Sequence, residues 1–124
     1  MENLKKIDSY LNEIGIGYKK VDDIWVVNDE GFTNKLAIYI DDSIVVFRVK
    51  VTDLPKSNNE ELYKKLLELN AYDLVHGAYA IEDNNIVIVD TLQVENLDLN
   101  EFRASFESIE LSLAQHKSIL EKYL

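Results

Sequence analysis

The segment that most constrains the fold is the strand-forming run IVVFRVKV at positions 44–51. Its first half is apolar at every position, whereas its second half alternates between apolar and basic residues. Side chains alternate between the two faces of a strand, so one face carries Val45, Phe47, Val49 and Val51. Ile44 and Val46 then point to the opposite face. Because an antiparallel sheet commonly shows one face to water, this pattern predicts that something covers part of that outer face.

Length and composition indicate a single folded domain that spans residues 1–124. The hydrophobic content of 47% and the single proline are ordinary for a globular protein. The absence of cysteine excludes disulfides, thiolate metal sites and a thiol nucleophile. Since no apolar run resembles a signal peptide or approaches the ~20 residues of a membrane span, we expect a soluble cytoplasmic protein.

The charge balance is strongly acidic, with 13 Lys and Arg against 23 Asp and Glu, which gives a net charge of −10. This charge repels nucleic acid phosphates and anionic membrane surfaces. We therefore expect neither a nucleic acid partner nor a membrane partner. Basic or neutral proteins remain open as partners, and the acidity also keeps a protein soluble by itself.

The first half of the chain predicts a helix followed by a three-strand meander. Apolar residues at positions 4, 7, 11 and 14 mark an amphipathic helix that ends at Gly15 and Gly17. Strands are predicted over residues 24–27, 36–40 and 44–51. A two-residue connection within Asp41-Asp42-Ser43 puts residues 36, 38 and 40 on the same face as residues 45, 47 and 49.

The second half predicts a helix, a hairpin and a long last helix. The middle helix begins near Asn59, where Ser57 with Glu60, or Asn58 with Glu61, fits a reciprocal cap. Its apolar stripe is wide, which a dimer contact would explain. Strands over 77–82 and 85–92 form a hairpin about Asp83-Asn84-Asn85. Asp98 caps a last helix with its seam at residues 102, 106, 109, 113, 116, 120 and 123.

The predicted fold is α+β, in the order helix, three-strand meander, helix, two-strand hairpin and long C-terminal helix, with a five-stranded antiparallel sheet. A roadblock-like fold, with two strands before the middle helix and three after it, is the nearest alternative. The meander before Asn59 argues against it. The inward face of the second hairpin stays open, because Ile86 with Ile88 and Val87 with Val89 suit the core equally well.

The outward apolar residues are the candidate partner-binding surface: Tyr39, Ile44, Val46, Val87 and Val89. Burying one such side chain contributes roughly 1.5–3 kcal/mol. Leaving four of them exposed would therefore forgo an amount comparable with the roughly 5–15 kcal/mol stability of a small domain. The sequence allows three ways to bury these side chains: under the middle helix of the same chain, against a second subunit, or against a bound peptide.

No residue pattern indicates catalysis, a cofactor or a metal. His116 falls in the seam of the last helix, where a core or interface role is expected, and His76 precedes a strand. The acidic pairs 22–23, 29–30, 41–42 and 82–83 all fall at predicted turns, where we expect solvated carboxylates. Residues 28–33 break the ligand spacing of a helix-loop-helix calcium site. We therefore expect no catalytic, cofactor-binding or metal-binding residue.

Three segments in this order carry a family resemblance: LLELN at 66–70, AYAIED at 78–83 with IVIV at 86–89, and a helix opened by Leu97-Asp98. Together with the predicted layout, small size and acidity, they resemble the superfamily of type III secretion chaperones and YbjN-like proteins. The resemblance spans nearly the whole chain. Many relatives place an acidic residue and a glycine at the hairpin tip, where this chain has Asp83-Asn84-Asn85.

The resemblance implies a non-enzymatic homodimer without cofactors that holds an extended segment of a client polypeptide. It also implies pairing through the middle helix and the following strand, residues 59–71 and 77–82. The corresponding interface residues are Leu62, Tyr63, Leu66 and Leu67. A YbjN-like regulatory or scaffold protein, whose dimer leaves no client groove, is the alternative that the resemblance implies.

Overall fold

The fold is described by a computed structural model that covers residues 2–28 and 35–124. Within these residues the chain forms three helices and six strands. The helices are α1 (Glu2–Ile14), α2 (Glu60–Tyr72) and α3 (Leu99–Glu121). The strands are β1 (Tyr18–Val21), β2 (Ile24–Val27), β3 (Leu36–Asp41), β4 (Ile44–Asp53), β5 (Ala78–Glu82) and β6 (Asn85–Gln93).

The strands form one antiparallel sheet in the order β1-β2-β3-β4-β6-β5. The predicted register of β3 on β4 is confirmed, since Leu36 lies opposite Val49 and Ile38 lies opposite Phe47. The two-residue turn between Asp41 and Ile44 sets this register, and Asp42 adopts the positive φ of 55° that such turns use. The predicted α+β class and order of elements are confirmed in outline.

The prediction of five strands is wrong, because residues 18–21 form an additional strand at the sheet edge. β1 pairs with β2 through a two-residue turn at Asp22-Asp23, in which Asp22 has a φ of 55°. The segment Tyr18-Lys19-Lys20-Val21 lacks the apolar alternation that marks a half-buried strand. Backbone pairing with β2 therefore makes it a strand although its side chains are mostly exposed.

All three helices pack against the same face of the sheet. One core cluster contains Ile7 and Leu11 of α1, Leu62 of α2, and Phe102 and Ile109 of α3. The strand residues in that cluster come from one face of the sheet, the inner face: Trp25, Val27, Leu36, Ile38, Val45, Phe47, Val49, Tyr79, Ile86 and Ile88. Within residues 2–28 and 35–124, no helix packs against the outer face.

The membership of the core cluster settles two points that the sequence left open. Leu62, Leu66 and Leu69 of α2 belong to the core cluster, so the middle helix does not cover the outer face. Ile86 and Ile88 are fully buried in the same cluster, and Val87 and Val89 consequently point outward. The inward face of the second hairpin is therefore the isoleucine face.

The ends of the helices follow local sequence rules in two of three cases. Gly15 ends α1 with a φ of +80°, as expected for a residue after a helix. The Asp98 side chain accepts a hydrogen bond of 2.8 Å from the Glu101 N–H and caps α3. The start of α2 differs from the predicted reciprocal cap: the Asn58 side chain accepts from the Glu60 N–H over 3.2 Å, whereas the side chain of Asn59, the N-cap residue, donates to the Pro55 carbonyl oxygen over 2.7 Å.

Replacing Asp98 with alanine is expected to lower the free energy of unfolding by about 1 kcal/mol, because one of the first N–H groups of α3 loses its acceptor. Urea denaturation followed by circular dichroism measures this loss. Asp98→Asn is the matched control, since its amide oxygen still accepts the bond, and it should stay close to the wild type. Equal losses in both variants would contradict the capping role.

Candidate functional site

The outer face of the sheet carries a row of apolar side chains across four strands. Val21 lies opposite Ile24, Ile24 opposite Tyr39, and Tyr39 opposite Val46. We call these four residues the outer apolar row. Val21 and Ile24 are 47% and 41% exposed, whereas Val46 is only 5% exposed. The solvent-accessible part of the row therefore lies toward the β1 edge.

The structure brings together some of the predicted partner-binding residues and separates others. Tyr39 and Val46 are members of the outer apolar row, and Ile44 lies two residues before Val46 on the same face of β4. Val87 and Val89 share the face, but basic residues lie opposite them on β4: Lys50 faces Val87 and Arg48 faces Val89. The predicted surface is thus divided by a basic strip.

Two of the five outward apolar residues are buried, although no second subunit or peptide is present. Val46 and Val87 are each 5% exposed although neither belongs to the core cluster below the sheet. Val46 is flanked by Tyr39 and Thr91 on the neighbouring strands. No helix in the described part of the chain covers these valines, and neighbours on the same face contribute to their burial, while Tyr39, Ile44 and Val89 keep partial exposure.

The sequence did not identify Val21 and Ile24 as part of the outer apolar surface, because residues 18–21 were not predicted as a strand. A signal was available: Asp22-Asp23 forms a two-residue acidic turn between two β-branched residues. Such a pattern predicts a hairpin. In that hairpin Val21 and Ile24 must lie opposite each other, which places both on the outer face with Tyr39.

An ion pair limits the outer surface on the β5 side. Arg48 of β4 donates through Nη1 to Oε2 of Glu82 on β5, across the intervening β6. This hydrogen bond is the main reason that the pKa of Arg48 lies above its ordinary value. The side chains of both residues are at least one-third exposed, so the pair contributes little to stability. It does keep a charged group beside Val89.

A second apolar surface lies where α2 packs beside β5. A groove of about 220 Å³ is lined by Tyr63, Leu66, Leu67, Asn70, Tyr79, Ala80 and Ile81. Leu67 is 68% exposed, Ile81 45% and Tyr63 41%. Of the four predicted interface residues, Tyr63, Leu66 and Leu67 line this groove. Leu62 belongs to the core instead, with 1% of its surface exposed.

A series of polar contacts begins in the wall of this groove and joins α2, β5 and α3. The Asn70 side chain accepts from the Tyr79 N–H over 2.7 Å and donates to the Tyr79 carbonyl oxygen over 3.1 Å. The Tyr79 hydroxyl lies 2.7 Å from Nδ1 of His116. Nε2 of His116 lies 3.2 Å from Oδ2 of Asp73, the C-cap residue of α2. The four side chains close a circuit that returns to α2.

His116 has a structural position in this circuit. The carboxylate of Asp73 can only accept, so Nε2 of His116 carries the proton and Nδ1 accepts from the Tyr79 hydroxyl. Both ring nitrogens are occupied, and the residue is 2% exposed. His116 meets a carboxylate, but no ring nitrogen is free to act on a substrate or to bind a metal.

The other ionisable groups in the described part of the chain form no recognisable centre. Residues 2–28 and 35–124 contain no group of three His, Cys, Asp or Glu side chains that could hold a metal ion. The turn carboxylates Asp22, Asp23, Asp41, Asp42, Glu82 and Asp83 are exposed, as predicted. The acidic pair 29–30 and most of the segment compared with a calcium loop lie outside the described residues. No helix in the described part is long and apolar enough to cross a membrane.

Comparison with known proteins agrees with this architecture. The profile of the CesT_Tir_1 family matches residues 1–124, the whole chain. The chain belongs to the CesT_Tir_1 family. This is a family of type III secretion chaperones, and the membership confirms the superfamily that the sequence resembles. No curated protein sequence matches the chain.

Solved structures share the fold of this CesT_Tir_1 member at low sequence identity. YbjN, a putative transcription regulator from E. coli, is 16% identical with a TM-score of 0.70, over 93% of this chain and 91% of that chain. A chain in the heterodimeric ExoU–SpcU complex from the type III secretion system of Pseudomonas aeruginosa is 15% identical with a TM-score of 0.71, over 88% and 93%. A chain in the complex of the Yersinia pestis chaperone SycH with a YscM2 fragment is 13% identical with a TM-score of 0.66, over 91% and 98%.

Burial, and to a smaller extent the Asp73 carboxylate, raises the pKa of Tyr79 above its ordinary value of 10.0. In the unfolded CesT_Tir_1 chain this tyrosine ionises near pH 10, whereas the folded chain keeps its proton. The stability contributed by the buried phenol is thus fully present below pH 10 and is lost as the pH rises beyond it.

Tyr79→Phe is therefore expected to lose less stability between pH 10 and 11 than the wild type. The difference in slope should approach about 1.4 kcal/mol per pH unit for one group. Urea denaturation at pH 9, 10 and 11 measures it, and Tyr63→Phe is the control because Tyr63 is 41% exposed. Parallel slopes for the wild type and Tyr79→Phe would contradict the assignment.

Proposed function

We propose that this chain is a non-enzymatic, cytoplasmic, chaperone-like binding module that works as a homodimer and holds an extended segment of a client polypeptide. The observation that carries the proposal is the outer apolar row, which no helix of the described residues covers. Membership in a family of type III secretion chaperones supports it. Some structural neighbours are complexes of a chaperone with another protein or protein fragment.

The client-binding surface in this proposal is the exposed end of the outer apolar row together with Ile44. Val21, Ile24 and Tyr39 lie side by side on three neighbouring strands, so an extended segment that crosses them buries every second side chain. β1 is an edge strand, and its outward backbone groups lie beside the row. Main-chain pairing along β1 would therefore add to side-chain burial.

The dimer interface in this proposal is the groove between α2 and β5. Tyr63 and Leu67 lie one helical turn apart on α2, and Ile81 borders them from β5. Tyr72 and Val75, at the end of α2 and just after it, are 85% and 81% exposed. A second copy of the same surface would cover aromatic and aliphatic side chains that water otherwise contacts.

A YbjN-like protein without a client site is the second candidate. The observation that favours it is the low exposure of Val46 and Val87, which reduces the free apolar area on the outer face. In this candidate the dimer forms, but the outer face binds no peptide. Peptide binding by the dimer therefore discriminates between the two functions.

Leu67→Asp is expected to convert the dimer to a monomer, because a carboxylate replaces a 68% exposed leucine in the centre of the proposed interface. Light scattering coupled to gel filtration measures the mass. Leu111→Asp is the matched control, since Leu111 on α3 is 55% exposed and lies outside the groove. A wild type with the mass of one chain, or a Leu67→Asp variant that stays dimeric, would contradict the interface.

Ile24→Asp and Ile44→Asp are each expected to weaken peptide binding about tenfold or more, because each removes an apolar contact worth roughly 1.5–3 kcal/mol. The probe is an immobilised set of extended peptides with alternating apolar and polar residues, with the same peptides carrying a central proline as reference. Leu111→Asp should bind as the wild type does.

Three outcomes of this experiment are informative. Preference for the alternating peptides that both variants lose supports the client site. A dimeric wild type that binds neither set supports the YbjN-like candidate. Unchanged binding in both variants would place the client elsewhere on the molecule and contradict the proposed surface.

A further inference from the structure

β5 ends the sheet on the side of the groove, and an edge strand leaves every second pair of backbone groups unpaired. Glu82 and Asn85 close the two-residue turn at Asp83-Asn84, so they form a hydrogen-bonded pair. By alternation along β5, Tyr79 and Ile81 turn their N–H and C=O groups away from β6. These two residues are therefore the positions where an added strand would bond.

Asn70 occupies the first of these positions. Its amide oxygen accepts from the Tyr79 N–H over 2.7 Å, and its amide nitrogen donates to the Tyr79 carbonyl over 3.1 Å. A primary amide has the same donor and acceptor pair as a peptide group. The side chain of a helix residue thus takes the place that a neighbouring strand would take, and it satisfies both backbone groups.

The contacts around Asn70 hold it in this position. Leu66 and Leu69, four positions and one position before Asn70 on α2, are buried in the core and fix this turn of the helix. The Tyr79 side chain is fixed from the other direction by the hydrogen bond of its hydroxyl to His116. An incoming strand would have to break both bonds of the Asn70 amide and leave that amide against the apolar wall of the groove, where Leu66 and Leu67 offer no replacement partner.

We propose that Asn70 closes the β5 edge to strand addition and restricts association at this edge to side-chain contacts in the groove. Within β5, Tyr79 and Ile81 face outward, and only Ile81 has an N–H and a C=O that are available to an added strand. One residue is too few to form a β-ladder. The role goes beyond the proposed function, because it holds whether or not the groove is a dimer interface and whether or not a client is bound.

Hydrogen exchange of the wild type tests the proposal directly. The Tyr79 amide should exchange about tenfold or more slowly than the Ile81 amide, because only the former has a hydrogen-bond acceptor at the edge. In Asn70→Leu, which keeps a similar shape, the two rates should become similar. Equal rates in the wild type would overturn the proposal, and this measurement needs no variant to fold.

Association provides the second readout. Asn70→Leu should form assemblies larger than those of the wild type, with a mass that rises with concentration, because the β5 edge is now open. Ala71→Leu is the matched control, as it adds a leucine at the exposed neighbouring position without a change of charge. It should keep the mass distribution of the wild type.

A double variant separates strand addition from simple stickiness. Ile81→Pro removes an outward N–H that β6 does not use, and proline is tolerated at such positions of edge strands. Added to Asn70→Leu, it should restore the wild-type mass distribution. Large assemblies that persist in the double variant, or a folded Asn70→Leu with unchanged mass, would overturn the proposal.

Discussion

The contact between Phe47 and Phe102 joins the centre of the sheet to the longest helix, and the packing of α1 depends on it. Phe47 lies in the middle of β4, the long central strand, and its ring centroid is 5.2 Å from that of Phe102 on α3. Tyr10 of α1 packs on Phe102 in turn, at 5.5 Å, and donates a hydrogen bond to the Leu97 carbonyl oxygen. α3 is thereby fixed to the inner face and α1 to α3, so the helices of the described residues lie on one side of the sheet and none of them covers the outer face.

Local patterns were sufficient to predict much of this fold. The turn chemistry of Asp42-Ser43 set the register of β3 on β4, and the side chain of Asp98 marked the start of α3. β1 was not predictable from hydrophobic alternation, because its two lysines interrupt the pattern and only pairing with β2 makes it a strand. Strand order depends on contacts between distant segments, and no local pattern encodes it.

The candidate surfaces were predictable only in part. Alternation along β3 and β4 identified Tyr39 and Ile44, but it did not indicate that neighbours on the same face bury Val46 and Val87. The circuit of Asn70, Asp73, Tyr79 and His116 was missed altogether. His116 is 37 residues from Tyr79 and 43 from Asp73 in sequence, so only the packing of α3 beside α2 and β5 brings them together. Residue spacing predicts contacts within one helix or strand. It does not predict contacts among side chains that come from three different elements.

The outer apolar row and the α2–β5 groove lie at opposite ends of the sheet, since the row begins at β1 and the groove borders β5. A partner in the groove therefore leaves the row accessible. The two hydrogen bonds between the Asn70 amide and the Tyr79 backbone also limit the number of partner strands that one chain can bind. A sheet with one blocked edge cannot propagate from subunit to subunit as a fibril does, so each chain accepts at most one foreign strand, at β1.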